Sequence, residues 1–489
     1  MLLTDLLNNI TAIQVVGNPL PKKVSGVEYD SRKVIDGSIF VAIKGFNTDG
    51  HLFIQDALNK KAIAIVLENN EAIPDTLLHH NKAIKILVND SRQALAELSN
   101  VFYDEPSKKL RLIGITGTNG KTTTSYYLKH ILETAGYKVG LIGTISNFIG
   151  NDKIESKLTT PESNDLSKML DKMNNSGCDF AVMEVSSHSL ALKRVYGLHF
   201  AFAVFTNITP EHLDFHQDFK NYLNAKKILF GTLPVSSSAI FNIDDLHSID
   251  VVKDCKALKY SFGRKDDSNF RISDIHCDLS GTTFTINYNE KVYNLKTSLV
   301  GDFNAYNAAG AFAASMLSGL KDEVIVKGIL TTPQVPGRFE IISNGTRKVI
   351  IDYSHTPDSL EKTLMVIRKI TDKKNPIFTV FGCGGNRDKL KRPLMGKIAT
   401  ELSDQVIVTS DNPRNEKPAE IIDEIKSGIT KNNYFVVEER AAAIEEAIRN
   451  SQKNSVILIA GKGHEDYQEI NGVRHHFSDK EIAKKVLGV

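Results

Sequence analysis

Short apolar runs alternate along the chain with amphipathic stretches, and this alternation predicts an α/β protein. Clear apolar runs lie at 110–115, 180–184 and 455–460, each bounded by glycine or polar residues. Runs of this length are typical of strands that are buried on both faces of a parallel sheet. Stretches such as 359–370 carry apolar residues at helical spacing. Strands that alternate with helices in this way predict mostly parallel sheets covered by helices.

Two breaks in the pattern divide the chain into three predicted domains. The polar stretch 103–107 is a plausible linker, and Pro336-Gly337 is a turn signal before a new series of strands. We therefore predict a small N-terminal α/β domain over 1–107, a central phosphate-loop domain with a mostly parallel sheet over 108–335, and a Rossmann-like C-terminal α/β domain over 336–489.

The most informative stretch, GITGTNGKTTT, follows the first strand of the central domain. Glycines such as Gly117 and Gly120 allow a tight turn whose N–H groups can face an anion at a helix N-terminus. Lys121 would reach the β- and γ-phosphates of a nucleotide, and Thr122 would complete a Mg²⁺ shell. The usual pattern has glycine where Ile115 stands. The alternative is a glycine-rich turn before an ordinary helix.

A carboxylate and a histidine-rich segment follow the phosphate loop. Glu184 ends a buried apolar run, which is where phosphate-loop enzymes hold Mg²⁺, although it could be an ordinary residue at a strand end. His212, Asp214 and His216 stand at alternate positions and resemble a metal cluster. A third conventional zinc ligand is not evident nearby, so we expect a single histidine or aspartate beside Mg²⁺ instead.

In the C-terminal domain, polar residues come directly after successive predicted strands. They are Asp352 with His355, then 384–387, then 411–414, and last 461–465. Open α/β sheets bind ligands beyond the carboxyl ends of their strands. Any one of these segments could be a structural turn, but four at equivalent positions predict a ligand site.

Composition narrows the class of protein. The 489 residues carry a net charge of +2, which argues against a bulk nucleic-acid surface. The four cysteines show no C-x-x-C spacing, and no apolar stretch approaches the roughly 18 residues that cross a bilayer. We expect a cytoplasmic protein with no membrane insertion, and a monomer that acts on small molecules.

Taken in order, these stretches resemble the Mur ligase family, the ATP-dependent amide-forming enzymes of peptidoglycan synthesis. The resemblance is carried by GITGTNGKTTT, MEVSSHSLALKRV, TNITPEHLDFHQDFKNYLNAKK, GDFNAYNAAGA, DYSHTPDSL, SDNPRNE and AGKGHEDYQ. It covers nearly the whole chain and accounts for the missing glycine at Ile115. It implies three α/β domains, ATP as co-substrate, Mg²⁺ as cofactor and a UDP-muramoyl dipeptide as the carboxylate substrate. The reaction it implies joins diaminopimelate to that dipeptide through an acyl phosphate.

The resemblance also implies residue roles. For catalysis it implies Lys121, Glu184, His212 and Lys226. For Mg²⁺ it implies Thr122, Glu184 and His212. For ATP it implies Gly117, Thr118, Asn119, Gly120, Lys121, Thr122, Thr123, Asn304, Arg338, Asp352 and His355. For the UDP-substrate it implies Ser31, Asn47, Thr48, Thr159, Thr160, Ser186 and Arg194. For diaminopimelate it implies Arg387, Asp411, Asn412, Pro413, Arg414, Gly461 and Glu465.

Lys226 matches a lysine that is carbamylated in this family. It falls within a helix that we predict to begin near Asp218, and its neighbour Lys227 would point about 100° around that helix. Only one of the two should therefore face the site. Without the resemblance, a solvated pair of lysines is the simpler interpretation.

The segment SDNPR bears on the acceptor. Diaminopimelate differs from lysine by a second carboxylate, and a guanidinium such as that of Arg414 pairs with a carboxylate through two hydrogen bonds. Lysine as acceptor, a folylpolyglutamate synthase and a nucleotide switch without ligase chemistry are the alternatives. Leu192 and Phe46 depart from residues common in the family, which leaves their substrate contacts open.

Overall fold

The computed structural model describes most of the chain, and the described residues form two compact units. The described ranges are 1–19, 22–46, 48–371 and 375–489. The first unit comprises Met1–Asn269 and Gly310–Ile325, and the second comprises Phe270–Ala309 and Val326–Val489. In the described ranges, no helix is both long and apolar enough to cross a membrane.

The first unit begins with a five-stranded sheet of order β1-β5-β4-β3-β2, parallel except for β1. Its strands are β1 (Ala12–Val16), β2 (Gly26–Glu28), β3 (Ser38–Val41), β4 (Ala64–Leu67) and β5 (Ile84–Val88). Its helices are α1 (Leu3–Leu7), α2 (Ile54–Asn59), α3 (Asp75–His80), α4 (Ser91–Phe102) and α5 (Pro106–Lys109). Strands β3 and β4 are buried along their whole length, as expected for central parallel strands.

The larger sheet of the first unit has the order β13-β12-β11-β6-β10-β7-β8-β9. Its strands are β6 (Arg111–Thr116), β7 (Val139–Ile142), β8 (Ser146–Ile149), β9 (Asp152–Glu155), β10 (Phe180–Glu184), β11 (Phe202–Phe205), β12 (Ser238–Asn242) and β13 (Leu258–Gly263). Its helices are α6 (Lys121–Thr134), α7 (Ser163–Asn175), α8 (Ser187–Ala191), α9 (Leu213–His216), α10 (Phe219–Gly231) and α11 (Ser248–Val251). The six strands from β13 to β7 are parallel, whereas β8 and β9 extend the edge in antiparallel pairs.

The two sheets of the first unit are joined through polar contacts. The Tyr29 hydroxyl donates to the Asp165 carboxylate at 2.6 Å, and the Ser167 hydroxyl donates to Asn100 at 3.1 Å. Asp165 and Ser167 lie on α7, which packs against α4. The small N-terminal sheet is therefore fixed to the larger one by this pair of helices.

Residues 302–331 form two helices, α12 (Asp302–Leu317) and α13 (Asp322–Thr331). Earlier in the chain, 270–297 form an antiparallel meander that the sequence analysis did not predict. Its strands are β14 (Phe270–Asp278), β15 (Gly281–Tyr288) and β16 (Lys291–Thr297). Buried and exposed residues alternate along β16, which is typical of a sheet with one solvated face. The central region is therefore less uniformly parallel than we predicted.

The second unit is built on a six-stranded sheet of order β17-β18-β22-β19-β20-β21, parallel except for β17. Its strands are β17 (Glu340–Ser343), β18 (Lys348–Asp352), β19 (Ile377–Phe381), β20 (Gln405–Val408), β21 (Tyr434–Val436) and β22 (Val456–Ala460). Its helices are α14 (Pro357–Ile370), α15 (Lys391–Leu402), α16 (Pro418–Lys426), α17 (Arg440–Asn450) and α18 (Asp479–Leu487). A separate hairpin comprises β23 (Tyr467–Ile470) and β24 (Val473–His476).

A buried ion pair connects the helices of this unit to its strands. Arg440 of α17 and Asp479 of α18 are both fully buried, with Nε–Oδ1 and Nη2–Oδ2 distances of 2.8 and 2.7 Å. Arg440 also donates to the carbonyls of Ser410 and Ala460, which follow or end two parallel strands. The guanidinium therefore connects helices α17 and α18 to the carboxyl ends of β20 and β22.

We expect Asp479→Asn to lower the free energy of unfolding by about 3 kcal/mol, because it leaves the buried Arg440 without its counter-charge. The matched control is Glu445→Gln, which breaks an exposed pair with Arg449 on the same helix and should cost at most about 0.5 kcal/mol. Urea denaturation followed by circular dichroism measures both. Equal effects of the two substitutions would contradict this prediction.

Candidate active site

The phosphate loop joins β6 to α6, as the sequence predicts. Ile115, where the usual pattern has glycine, is a fully buried residue of β6, and it pairs with Glu184 of β10. The turn begins at Gly117 and ends at Gly120, the residue before α6, where φ is 88°. The loop of this chain therefore starts after the position of the missing glycine, and a buried strand residue takes its place.

Close backbone packing shapes this loop. Gly117 has φ of 152°, and a Cβ added there would lie 1.9 Å from the Thr206 hydroxyl. The Lys121 ammonium lies over the turn and donates to the carbonyls of Gly117 and Thr118 at 2.8 Å each. The Asn119 N–H donates to the Asn207 side-chain oxygen at 3.0 Å. The lysine and the turn thus form one cradle at the N-terminus of α6, where an anion is favoured.

Glu184, at the end of β10, is 1% exposed and links three segments. Thr122 of α6 donates to its Oε2 at 3.0 Å. Thr144, which follows β7, donates to the same carboxylate through its N–H and its hydroxyl, both at 2.9 Å. Among the described residues Glu184 forms no ion pair, so its partners are uncharged donors. The Glu184 carboxylate and the Thr122 hydroxyl beside it together offer oxygen ligands of the kind that Mg²⁺ prefers.

The residues predicted for the muramoyl part of the substrate adjoin Glu184. Thr160 donates its hydroxyl to the Glu184 carbonyl at 2.8 Å and accepts from the Ser186 N–H at 3.1 Å. Arg194 donates to the Thr160 carbonyl at 3.2 Å. The Thr159 hydroxyl lies 3.1 Å from that of Thr144. The structure therefore brings all four of these predicted residues to the end of β10.

The histidine-rich segment forms an aromatic cluster rather than a metal cluster. In the described part of the chain, no group of three histidine, cysteine, aspartate or glutamate residues is placed to hold a metal ion. His188 stacks near Phe215, with ring centroids 4.2 Å apart, and lies 4.8 Å from His212. Burial lowers the pKa of both His188, to about 4, and His212. His216 bonds the Ser187 hydroxyl at 2.9 Å.

Lys226 is the buried member of the lysine pair. Helix α10 is capped by Asp218, and Lys226 is 1% exposed with its ammonium 4.6 Å from the Tyr222 ring centroid. Lys227 is partly exposed and pairs with Asp250 at 2.9 Å. Burial, together with the charge of Lys121, holds the pKa of Lys226 well below its ordinary value. The neutral amine is therefore more accessible at Lys226 than at an exposed lysine.

Two of the predicted uridine-side residues lie in segments that follow strands of the small sheet. Ser31 begins a helical turn three residues after β2 and is buried, whereas Thr48 lies in the exposed segment after β3. Asn47 lies outside the described residues. Strands β2 and β3 are parallel neighbours, so the segments after them meet at one edge of the sheet. Phe46 is 72% exposed, and its ring contacts Phe215 at 5.6 Å.

The remaining predicted ATP residues belong to the second unit. Asn304 is buried and donates to the Val300 carbonyl at 2.9 Å. The Arg338 guanidinium stacks over Tyr353 at 4.5 Å. Asp352 is 9% exposed and accepts from the Phe339 N–H at 2.7 Å; burial raises its pKa. His355 bonds the Tyr353 carbonyl through Nδ1 at 2.8 Å. Their contact with a nucleotide stays a prediction.

The predicted acceptor residues meet beyond β19, β20 and β22. Asn412 donates to the Glu465 carboxylate at 2.8 Å, and a Cβ added at Gly461 would lie 2.6 Å from Asp411. Arg414 donates from Nη1 to the Gly385 carbonyl at 2.7 Å. Pro413 is buried beside them, and Arg387 is exposed on the segment after β19. The loops 384–387, 411–414 and 461–465 are therefore in contact. The fourth predicted segment joins them, because the Gly461 N–H donates to the Asp352 carbonyl at 3.1 Å.

Two residues in these sites escaped the sequence analysis. Thr144, which donates to Glu184, follows β7, a strand parallel to β10, so strand order was the missing signal. Lys462 is fully buried, donates to Asn412 Oδ1 at 3.1 Å and lies 3.3 Å from Glu465 Oε2. A lysine between two glycines after a buried strand could have identified it.

In comparisons with known proteins, the chain matches three family models, one after another along the sequence. The Mur ligase family catalytic domain matches 23–103, the Mur ligase middle domain matches 115–315, and the Mur ligase glutamate ligase domain matches 337–463. The chain belongs to the Mur ligase family. The models agree with a three-domain order, while the bounds 1–107, 108–335 and 336–489 stay a prediction.

Individual Mur ligases are similar over nearly the full chain. A UDP-N-acetylmuramoyl-L-alanyl-D-glutamate–2,6-diaminopimelate ligase of Clostridium botulinum is 44% identical over 95% of each chain. A solved structure of an enzyme with the same name is 30% identical, with a TM-score of 0.71 over 100% of this chain and 99% of that one. The MurF ligase of Thermotoga maritima, solved in complex with ADP, is 19% identical and has a TM-score of 0.63 over 94% of this chain and 97% of its own. This last similarity shows the shared fold.

We expect Gly117→Ala to lower kcat/KM for ATP by about 100-fold, because the new Cβ would displace the turn from Thr206. Binding of a fluorescent ATP analogue and ADP release report the loss.

The matched control is Gly136→Ala after helix α6. Gly136 also has positive φ, 90°, but a Cβ there meets no atom within 4 Å. This variant should lose some stability and keep its affinity for ATP. A Gly117→Ala enzyme that binds ATP normally would disprove the role of the close packing.

Proposed function

We propose that the protein is the ATP-dependent ligase that joins meso-2,6-diaminopimelate to the D-glutamate γ-carboxylate of UDP-N-acetylmuramoyl-L-Ala-D-Glu. The observation that carries this proposal is the double contact of Glu184. Its carboxylate meets Thr122 of the phosphate loop, and its carbonyl meets Thr160 of the segment predicted to hold the muramoyl dipeptide. A nucleotide phosphate and a substrate carboxylate would therefore meet at one place. The names of the relatives support the choice of substrates.

The chain's own residues supply positioning and charge neutralisation. The substrate carboxylate attacks the γ-phosphate of ATP, which forms an acyl phosphate and releases ADP; the acceptor amine then displaces phosphate and forms the amide. Transfer of a phosphoryl group depends chiefly on alignment and electrostatics. Lys121, with the N–H groups of the turn before α6, would neutralise the phosphates. Thr159, Thr160, Ser186 and Arg194 would hold the dipeptide, and Ser31, Thr48 and Asn47 its uridine end.

Mg²⁺ fits the donor set of the first unit. Thr122 and Glu184 would hold it through oxygen, with His212 nearby, and the bound cation would reduce the negative charge on the phosphates. From the second unit we assign Asn304, Arg338, Asp352 and His355 to the nucleotide. We place the protein in the cytoplasm as a monomer.

The acceptor site is assigned to the second unit. Arg387 and Arg414 would each take one carboxylate of diaminopimelate, since a guanidinium pairs with a carboxylate through two hydrogen bonds. Glu465 and Asp411 lie where an ammonium could be held. Release of ADP that requires both the UDP-dipeptide and an acceptor tests the whole proposal. Diaminopimelate should support it far better than lysine or ornithine, and release without any acceptor would favour a nucleotide switch.

We expect Arg414→Lys to lower kcat/KM for diaminopimelate by about tenfold or more, because an ammonium cannot reproduce the paired hydrogen bonds. The rate with ATP saturating, as a function of acceptor concentration, measures the change. Arg474→Lys, at an exposed arginine of the nearby hairpin, is the control and should change nothing. An unaltered KM for diaminopimelate in Arg414→Lys would exclude the assignment.

We expect Lys226 to carry a carbamate. Its neutral amine attacks CO₂, a C–N bond forms and a proton leaves to solvent, so that the side chain becomes an anion with oxygens of the kind that Mg²⁺ prefers. Labelling with ¹³CO₂ should give a carbamate resonance in the presence of Mg²⁺ and nucleotide. Lys226→Ala should lose that resonance and nearly all ADP formation, with partial rescue by acetate or propionate.

Lys227→Ala is the matched control, since Lys227 is the next residue on the helix, is partly exposed and pairs with Asp250 instead. It should keep both the resonance and the activity. A fully active enzyme without any ¹³C carbamate signal would contradict the assignment of Lys226.

A further inference from the structure

Arg392 is a buried guanidinium that the proposed function does not use. It lies on the first turn of α15 and is fully buried. Its Nη1 and Nη2 donate to the two carboxylate oxygens of Glu416 at 2.8 and 3.0 Å. Nη1 also donates to Glu424 at 2.6 Å, and Nη2 to the Gly384 carbonyl at 3.2 Å. One side chain therefore bonds two carboxylates and a loop carbonyl.

These bonds connect the two loops that carry Arg387 and Arg414. Gly384 belongs to the loop after β19, and Glu416 follows Arg414 in the loop after β20. Glu416 in turn accepts from the N–H of Asn386, beside Arg387. The Arg392–Glu416 pair thus bonds both loops at positions within three residues of each arginine.

The two loops are also in direct contact with each other. The Gly385 N–H donates to the Asn412 carbonyl at 2.9 Å, and Asn415 donates its N–H to Asn386 Oδ1 at 3.1 Å. A Cβ at Gly385 would lie 1.9 Å from the Pro413 carbonyl oxygen. A shift of either loop would therefore be transmitted to the other.

The electrostatics indicate a persistent ion pair. The hydrogen bond from Arg392 is the main cause that lowers the pKa of Glu416 to about 2. Paired hydrogen bonds between a guanidinium and a carboxylate also fix relative orientation, which a point charge cannot do.

We propose that Arg392 and Glu416 are positioning residues for the acceptor amino acid. They set the separation of Arg387 and Arg414, and this separation selects an amino acid with a carboxylate at each end. The inference rests on the proposed function, which places the acceptor at these two arginines. Lysine has one carboxylate and needs only one of the two loops in place. Loss of the Arg392–Glu416 pair should therefore impair the use of lysine as acceptor less than the use of diaminopimelate.

Glu424 provides a matched control within the same cluster. It bonds the same guanidinium and also pairs with Lys389 at 3.3 Å, but it lies on α16 rather than on the 411–416 loop. Its loss should affect the stability of the cluster. Its loss should leave the two loops joined through Glu416.

The experiment compares Glu416→Gln with Glu424→Gln in acceptor-dependent ADP release. We expect Glu416→Gln to raise KM for diaminopimelate about tenfold or more, since it weakens a charge-assisted pair that holds the site. KM for ATP and for the UDP-dipeptide should stay within about twofold, and the preference for diaminopimelate over lysine should fall. Glu424→Gln should leave the acceptor KM and this preference within about twofold.

A milder variant keeps the test informative if Glu416→Gln does not fold. Asn386→Gly removes the acceptor of the Asn415 N–H at an exposed position, and φ of 53° there suits glycine. It should raise the acceptor KM in the same direction by a smaller factor.

The outcomes separate the inference from the proposed function. Equal effects of the two glutamate variants on acceptor KM, or an unchanged preference for diaminopimelate in Glu416→Gln, would overturn the positioning role. If Glu416→Gln cannot be obtained folded, an unchanged acceptor KM in Asn386→Gly would do the same. A wild-type enzyme that releases ADP without regard to the acceptor would instead refute the proposed function.

Discussion

The Glu184 carboxylate is the interaction on which the candidate site of the first unit depends. It is almost completely buried and accepts hydrogen bonds from Thr122 and Thr144. A buried carboxylate is costly unless such donors surround it, and each hydrogen bond to a charged group contributes about 1.5–3 kcal/mol. The parallel sheet supplies the donors, because β10 lies between β6 and β7 and all three strands end at one edge. The same strand order therefore determines both the fold of this region and the hydrogen-bond donors around the Glu184 carboxylate.

Buried basic side chains of two kinds occur in this protein. Arg392 and Arg440 are fully buried, and each bonds carboxylates and backbone carbonyls. A guanidinium stays protonated in proteins, so these two residues are suited to fixing structure. Lys226 is equally buried but lies over a tyrosine ring, and its pKa is lowered. A lysine in such a place can give up its proton, and this makes Lys226 rather than either arginine the residue suited to covalent chemistry.

Local signals in the sequence predicted many of the individual strands and helices. Contacts that depend on the order of the strands in the sheets could not be predicted in this way. The apolar run 180–184 became β10 with the same bounds, and the helix after Asp218 begins where its cap predicts. The antiparallel strands over 270–297 were missed because an alternation of apolar and polar residues is a weaker signal in the sequence than a continuous apolar run. Thr144, Lys462 and Arg392 were missed because their partners are 40, 50 and 24 residues away in sequence. Partners so far apart in sequence can be assigned only when the order of the strands in the sheet is known.

Two residues of the candidate acceptor loops adopt a left-handed backbone conformation. Arg414 and Asn386 have φ of 52° and 53°, a region that costs a non-glycine residue about 1 kcal/mol. The strain at Arg414 is held by the hairpin, because its N–H donates to the Glu469 carbonyl at 3.0 Å and its own carbonyl accepts from Asn471 at 2.8 Å. Strain that persists under such constraint is a reason to infer function. In this conformation the guanidinium reaches the Gly385 carbonyl, so the hairpin and the loop after β19 together determine where the arginine points.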